Sequence, residues 1–208
     1  MFRGPSQAAL FDDEREERVL SASGADIRFI PSFLTITDAE RLFDALHSLD
    51  GWHQDHIRLY GKRHPLPRLH RWFAESRQPY HWSGIEMQPE PFPEALRPVL
   101  ERIKRESRVE FNTALGNLYR GGQDSVSWHA DDEPELGENP VIASLSLGAT
   151  RRFLLRRKDD HAQSLSFDLT HGSLLWMSGA TQAVWEHSIP KTKRIVGARI
   201  NVTFRAMV

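Results

Sequence analysis

Apolar and polar residues alternate with two different periods along the chain, and the period changes near residue 111. Before that point the clearest signal is helical. Thr37-Asp38-Ala39-Glu40 reads as a capping box, followed by Leu42, Phe43, Leu46 and Leu49 at helical spacing and then Gly51. Pro93 opens a second helix with Leu96, Val99, Leu100 and Ile103 on one face, and Pro98 inside it predicts a kink. Residues 1–24 show no steady period and read as a polar tail, and Arg28-Phe29-Ile30 reads as a short strand. Residues 52–92, rich in Pro, Gly, His and aromatic residues, predict short strands and exposed loops.

From Phe111 onward the period drops to two. Strands are predicted over 111–119, 124–129, 141–147, 152–157, 164–169, 173–177, 183–187 and 194–205, separated by Gly, Asp, Asn and Pro. Strands in this number behind two helices predict an α+β, mainly β chain. Its core is a jelly roll, or double-stranded β-helix, with N-terminal helices and substrate-binding loops. The expected division is a flexible tail over 1–26, a helical buttress and recognition lid over 27–110, and the jelly-roll core over 111–208.

Composition narrows the chemistry. The 208 residues are enough for one sizeable domain, and no cysteine is present, which excludes thiolate nucleophiles, disulfides and Cys-type zinc sites. No apolar run is long enough to span a membrane and no secretion signal is expected, so a cytoplasmic monomer is the default. The formal net charge of −1 hides local runs. Arg58, Lys62, Arg63, Arg68, Arg71 and Arg77 form one basic stretch, and Arg151, Arg152, Arg156, Arg157 and Lys158 form another. Such runs serve a phosphate backbone or are solvated surface in about equal measure.

Residues two apart on a strand share a face, so His129-Ala130-Asp131 presents an imidazole and a carboxylate to one ion. A second histidine completes the facial triad of non-haem iron, with three positions open. The H-x-D pattern is weak by itself, because ten histidines should produce about half a match by accident. His53-Gln54-Asp55 is such a second match, just past a helix end, and His53 is read as a surface or loop residue. For the third ligand His161, His171 and His187 all lie downstream. His161 and His171 sit in turn-like stretches, and His187, at the end of a strand-like run, is preferred.

Asn117-Leu118-Tyr119, His129-Ala130-Asp131-Asp132-Glu133, His187 and Arg199-Ile200-Asn201-Val202-Thr203-Phe204-Arg205 together resemble the AlkB-type iron(II)/2-oxoglutarate dioxygenases over about residues 27–208. Leu59-Tyr60-Gly61-Lys62, Pro67-Arg68 and Tyr80-His81-Trp82-Ser83-Gly84 resemble the branch with the mammalian duplex-DNA repair homologues, in which Phe usually stands at the positions of Tyr60 and Trp82. The resemblance implies Fe(II) on His129, Asp131 and His187, with O2 and 2-oxoglutarate as cosubstrates. Arg199 would hold the distal carboxylate with Tyr119 and Asn117 in support, Asn201 would belong to the same cradle, and Arg205 would lie near the metal-bound end. It implies oxidative demethylation of N-alkylated bases such as 1-methyladenine or 3-methylcytosine in DNA, with 2-oxoglutarate converted to succinate and CO2 and the methyl lost as formaldehyde. The alternative is a hydroxylase or demethylase acting on RNA, protein or a small molecule.

A base must leave its stack to reach buried iron. Trp82 and the His129 ring would sandwich it, Tyr80 and Glu133 would contact its edge, Arg68 would join the substrate contacts, and Leu59 and Tyr60 would wedge into the gap. Gln7-Ala8-Ala9-Leu10-Phe11 is similar to the Q-x-x-L-F peptides that dock on bacterial sliding clamps, with Gln7, Leu10 and Phe11 as the contacts.

Overall fold

The computed structural model describes residues 17–59, 62–75, 80–82 and 85–207. Its strands are β1 (Arg18–Ala22), β2 (Ala25–Ile30), β3 (His56–Leu59), β4 (Lys62–Pro65), β5 (Leu69–Ala74), β6 (Tyr80–Trp82), β7 (Ile85–Met87) and β8 (Thr113–Tyr119). They continue as β9 (Val126–His129), β10 (Ile142–Gly148), β11 (Arg151–Arg157), β12 (Ser164–Leu169), β13 (Ser173–Ser178), β14 (Trp185–Ile189) and β15 (Arg199–Arg205). A seven-stranded sheet has the order β1-β2-β13-β10-β15-β8-β5, and a four-stranded sheet the order β12-β11-β14-β9. With their strands paired antiparallel, the two sheets make the expected jelly roll. Two hairpins, β3-β4 and β6-β7, stand apart from both sheets.

Period-two patterning sorts the large sheet into two faces. On β15, Ile200, Val202 and Phe204 pack beneath the helices, with Ala114 and Leu118 of β8 beside them. Arg199, Asn201, Thr203 and Arg205 face the other way and line a cavity toward the small sheet. Ile142, Phe153, Leu155, Leu175 and Met177 fill the rest of the space between the sheets.

Helix α1 (Ile36–His47) lays Ala39, Leu42 and Leu46 on the outer face. Truncating either leucine to Ala should cost about 2–5 kcal/mol. Its cap is Thr35, two residues before the predicted box: Thr35 Oγ1 accepts the Asp38 N–H at 3.1 Å and donates to Asp38 Oδ2 at 2.7 Å. The same T-x-x-acid logic operates two residues earlier. Helix α2 (Arg97–Ser107) carries Pro98 in its first turn, where the missing N–H costs nothing, so the predicted kink does not arise.

Three other expectations need correction. Part of the tail is ordered, because β1 joins β2 through a two-residue turn in which Ser23 (φ 53°) and Gly24 (φ 78°) are both left-handed. The run 183–187 is a helical turn, α3 (Thr181–Val184), followed by β14. The long strand 194–205 is reduced to β15. β1, β2 and β5 also show that the large sheet draws on the chain before residue 111. Tyr60 and the Gln7, Leu10 and Phe11 segment lie outside the described residues. Among the described residues no helix is long and apolar enough to cross a membrane.

Candidate metal centre and cosubstrate cradle

His129 ends β9 and stands opposite His187 on β14, with a bulge just beyond the pair. Cross-strand partners share a face, which brings the two rings to 4.2 Å between centroids. Asp131, two residues past His129, turns to the same side, and the ligand atoms of the three residues lie within 4.8 Å of one another. His161 and His171 are elsewhere. His161 is an exposed neighbour of Glu186 at 3.6 Å, and His171 Nδ1 accepts the Gly148 N–H at 2.7 Å.

The surroundings set each ligand's protonation. His129 Nδ1 lies 2.8 Å from the Ser127 carbonyl, which can only accept, so Nδ1 carries the proton and Nε2 presents its lone pair. Burial lowers His187 to about 3, with the neighbouring His129 adding to the effect, and burial also lowers His129. Burial alone would raise Asp131, but Arg205, with His187 and His129, outweighs it and holds the carboxyl at about 2. Arg205 Nη2 donates to Asp131 Oδ1 at 2.8 Å, and the Asp131 N–H donates to Gln182 Oε1 at 2.9 Å. At neutral pH the set is therefore two neutral imidazoles and one carboxylate, the donor set of a 2-His-1-carboxylate iron site.

The same cavity holds a buried guanidinium. Arg199 is 1% exposed, stands over the Tyr119 ring at 5.0 Å and donates through Nη2 to Ser146 Oγ at 2.9 Å. Its Nε and Nη1 are buried without a hydrogen-bond partner. Such a group is costly unless an acid meets it, and a carboxylate fits the fork. A dicarboxylic keto acid between Arg199 and the triad satisfies both ends, so these residues fit iron and 2-oxoglutarate.

The remaining predicted residues are placed as follows. Asn117 and Tyr119 line the cavity. Asn201 is committed within its wall, donating to Ser144 Oγ and the Leu145 carbonyl and accepting from Thr203 Oγ1. Arg68 is buried rather than on the surface, lines the same cavity and donates through Nε to Asn117 Oδ1 at 2.7 Å. Glu133 follows Asp131 by two residues; burial, then the Asp131 charge, raises its carboxyl, and its Oε2 is buried without a partner. Leu59 ends β3, and Tyr80 and Trp82 lie on β6.

The basic run 151–158 is spent on the fold. Arg151 is buried on the carbonyls of Gly121, Asp124 and Pro190, and Arg152, Arg156, Arg157 and Lys158 pair with Asp168, Glu186, Asp159 and Asp132. Sequence reasoning missed Gln182, Ser127 and Ser146, which hydrogen-bond to Asp131, His129 and Arg199. Nothing in their local pattern marks them, since their roles depend on cross-chain register.

Residues 26–205 match the family model of the 2OG-Fe(II) oxygenase superfamily. The chain is 37% identical over 215 residues to human alpha-ketoglutarate-dependent dioxygenase alkB homolog 3, covering 99% of this chain and 74% of that protein. It is 36% identical over 159 residues to bovine DNA oxidative demethylase ALKBH2, covering 73% of this chain and 57% of that protein. The solved structure of OsALKBH1 shares the fold with a TM-score of 0.64 at 19% identity, covering 90% of this chain and 100% of that one. Triad, arginine cradle, fold and relatives agree: the chain belongs to the AlkB-type branch of the 2OG-Fe(II) oxygenases and is an Fe(II)/2-oxoglutarate-dependent dioxygenase that uses O2.

Proposed function

We propose that this dioxygenase removes N-methyl groups from cationic alkylated bases, of the 1-methyladenine and 3-methylcytosine type, in DNA. The observation that carries the reading is an extra carboxyl beside the metal ligands. Glu133 is half-buried, has one oxygen unpaired and lies close enough to Asp131 for their charges to interact. A cationic base supplies the partner this carboxyl lacks. The similarity to alkB homolog 3 and to a DNA oxidative demethylase supports the same substrate class. The exposed Lys62 and Arg63 on β4 suit a phosphate backbone.

His129, Asp131 and His187 would hold Fe(II). With 2-oxoglutarate and O2 bound, that centre supplies the oxidation of the methyl C–H bond, coupled to conversion of the keto acid to succinate and CO2. The chain positions the reactants. Arg199 and Ser146 anchor the distal carboxylate, with Tyr119 against the guanidinium and Asn117 in the same wall. Arg205 keeps Asp131 ionised and in place. Trp82 and the His129 ring stack the flipped base, Tyr80 and Glu133 read its edge, Arg68 closes the wall beside it, and Leu59 with Tyr60 fills the space it leaves. The oxidised methyl then leaves as formaldehyde.

The test supplies the full chain with Fe(II), 2-oxoglutarate and ascorbate, and gives it methylated single-stranded DNA, duplex DNA and RNA. Repaired base is read by mass spectrometry. Repair of DNA is expected. Intact iron and 2-oxoglutarate binding with repair of no DNA substrate would overturn the reading, and repair of RNA alone would favour the alternative target. Replacing Leu59 and Tyr60 by Ala should harm duplex repair more than single-strand repair.

A further inference from the structure

The second H-x-D is also part of a cluster. His53 pairs with His70 of β5 in an isolated antiparallel bridge, with hydrogen bonds both ways: His70 N–H to the His53 carbonyl at 2.9 Å, and His53 N–H to the His70 carbonyl at 3.4 Å. Their rings therefore share a face, 4.3 Å apart. Asp55, two residues past His53, reaches the same point: its Oδ2 is 3.0 Å from His70 Nε2 and 3.7 Å from His53 Nε2. One ligand atom from each of the three lies within 4.8 Å of the others.

The details favour a cation over a closed hydrogen-bond network. The His70 side chain is 4% exposed; its Nδ1 is buried with no hydrogen-bond partner, and its Nε2 lies 3.0 Å from Asp55 Oδ2. His53 Nδ1 lies 3.1 Å from the Gly51 carbonyl, which leaves Nε2 unprotonated and turned toward Asp55. The segment is fixed before any ion arrives. Trp52 closes on Gly116, where a Cβ would meet its ring at 3.1 Å, and its Nε1 donates to the Leu46 carbonyl. Asp55 and Gln54 are tied to Leu66 by hydrogen bonds of 2.7 and 2.6 Å.

We propose that His53, Asp55 and His70 form a second metal centre, for a zinc-type divalent cation, that fastens the root of the β3-β4 hairpin to the edge strand of the large sheet. Two imidazoles and a carboxylate suit zinc at about 2.0–2.2 Å, with a water completing the tetrahedron on the exposed side. It is not a second oxygenase site. Arg68, whose charge reaches His70, is engaged with Asn117 and Ser125 rather than offered to the cluster as a keto-acid anchor. Because β3 starts at His56, directly after Asp55, an ion here restrains the hairpin proposed above to touch DNA.

The metal-free full chain would be titrated with Zn2+ against a chromophoric chelator, with Co2+ absorption as a second reading. Wild type should take up two equivalents. His53→Ala and Asp55→Ala, at exposed and partly exposed positions outside the core, should each take up one while keeping native circular dichroism. Asp131→Ala should also take up one, and combining His53→Ala with Asp131→Ala should leave none. Zn2+ should slow amide exchange across 53–65 in wild type and not in His53→Ala. Equal stoichiometry in wild type and His53→Ala, or a single wild-type equivalent lost in Asp131→Ala, would overturn the proposal. The readings also separate the two centres: loss of zinc with His53→Ala stands whether or not the chain repairs any base.

Discussion

The chain builds two clusters by one rule and surrounds them differently. In each, an H-x-D step places a histidine and an aspartate on one side, and a second histidine stands directly across from the first on the neighbouring strand. In each, the leading histidine is oriented by a carbonyl two residues upstream, Ser127 for His129 and Gly51 for His53. The ring separations are nearly equal, at 4.2 and 4.3 Å. What separates them is the wall. Asp131 is buried against Arg205 in a cavity that ends in Arg199, whereas Asp55 is about a third exposed at the sheet edge. The two ligand sets are alike, and the guanidiniums that line the first cavity set it apart.

The largest effect that would separate the two is removal of a ligand. Asp131→Ala should reduce succinate release beyond the about 10–100-fold that losing an outer-sphere partner costs. Retained turnover would mean that iron sits elsewhere. Next comes Arg199, which lines the first cluster's cavity. Arg199→Met should raise the 2-oxoglutarate KM by about 100-fold, the scale of about 2–5 kcal/mol for an unpaired buried charge partner, and leave iron binding in place. An unchanged KM would remove Arg199 from the cradle.

Acid should weaken both clusters in the metal-free chain. Burial, reinforced by His129, puts His187 at about 3, and burial with His53 puts His70 at about 4, against about 6.5 for a free imidazole. The unfolded chain binds more protons between those values, so stability is full above about 6.5 and is lost as pH falls. The slope is at most about 1.4 kcal/mol per pH unit for each histidine. Denaturant unfolding at pH 7 and pH 5 would measure it, and a flat profile would contradict the buried neutral rings. The smallest effect belongs to Gln182→Leu, which leaves the Asp131 N–H unpaired. About 1–3 kcal/mol of stability should be lost, with weaker iron binding, in a thermal melt with and without metal.

Much of the first cluster was legible in the sequence because its parts lie on long regular strands. Alternation along 199–205 places Arg199 and Arg205 on one face and Ile200, Val202 and Phe204 on the other, and the structure keeps that division. The second cluster was read only halfway. His53 is exposed, as expected of a loop residue, but its pairing with His70 is a matter of register between segments, which no local pattern encodes. The same limit explains Gln182 and Ser146. The basic run 151–158 was legible only in part: its charges were visible, and the acids that pair with them are scattered from Asp132 to Glu186. The shifted cap at Thr35 came from two overlapping T-x-x-acid patterns, of which the structure uses the earlier.

The position of β15 has a consequence for how the protein matures. It lies between β8 and β10, both of which precede it in the chain, and it carries Arg205, the partner of Asp131. During synthesis β8 and β10 therefore wait with open edges facing each other, and such edges invite mispairing. His129, Asp131 and His187 have all been made by then, but Asp131 lacks the buried cation that holds it ionised. An iron site on those residues would be complete only once that central strand slots into its gap, a long-range closure of the slow-folding kind.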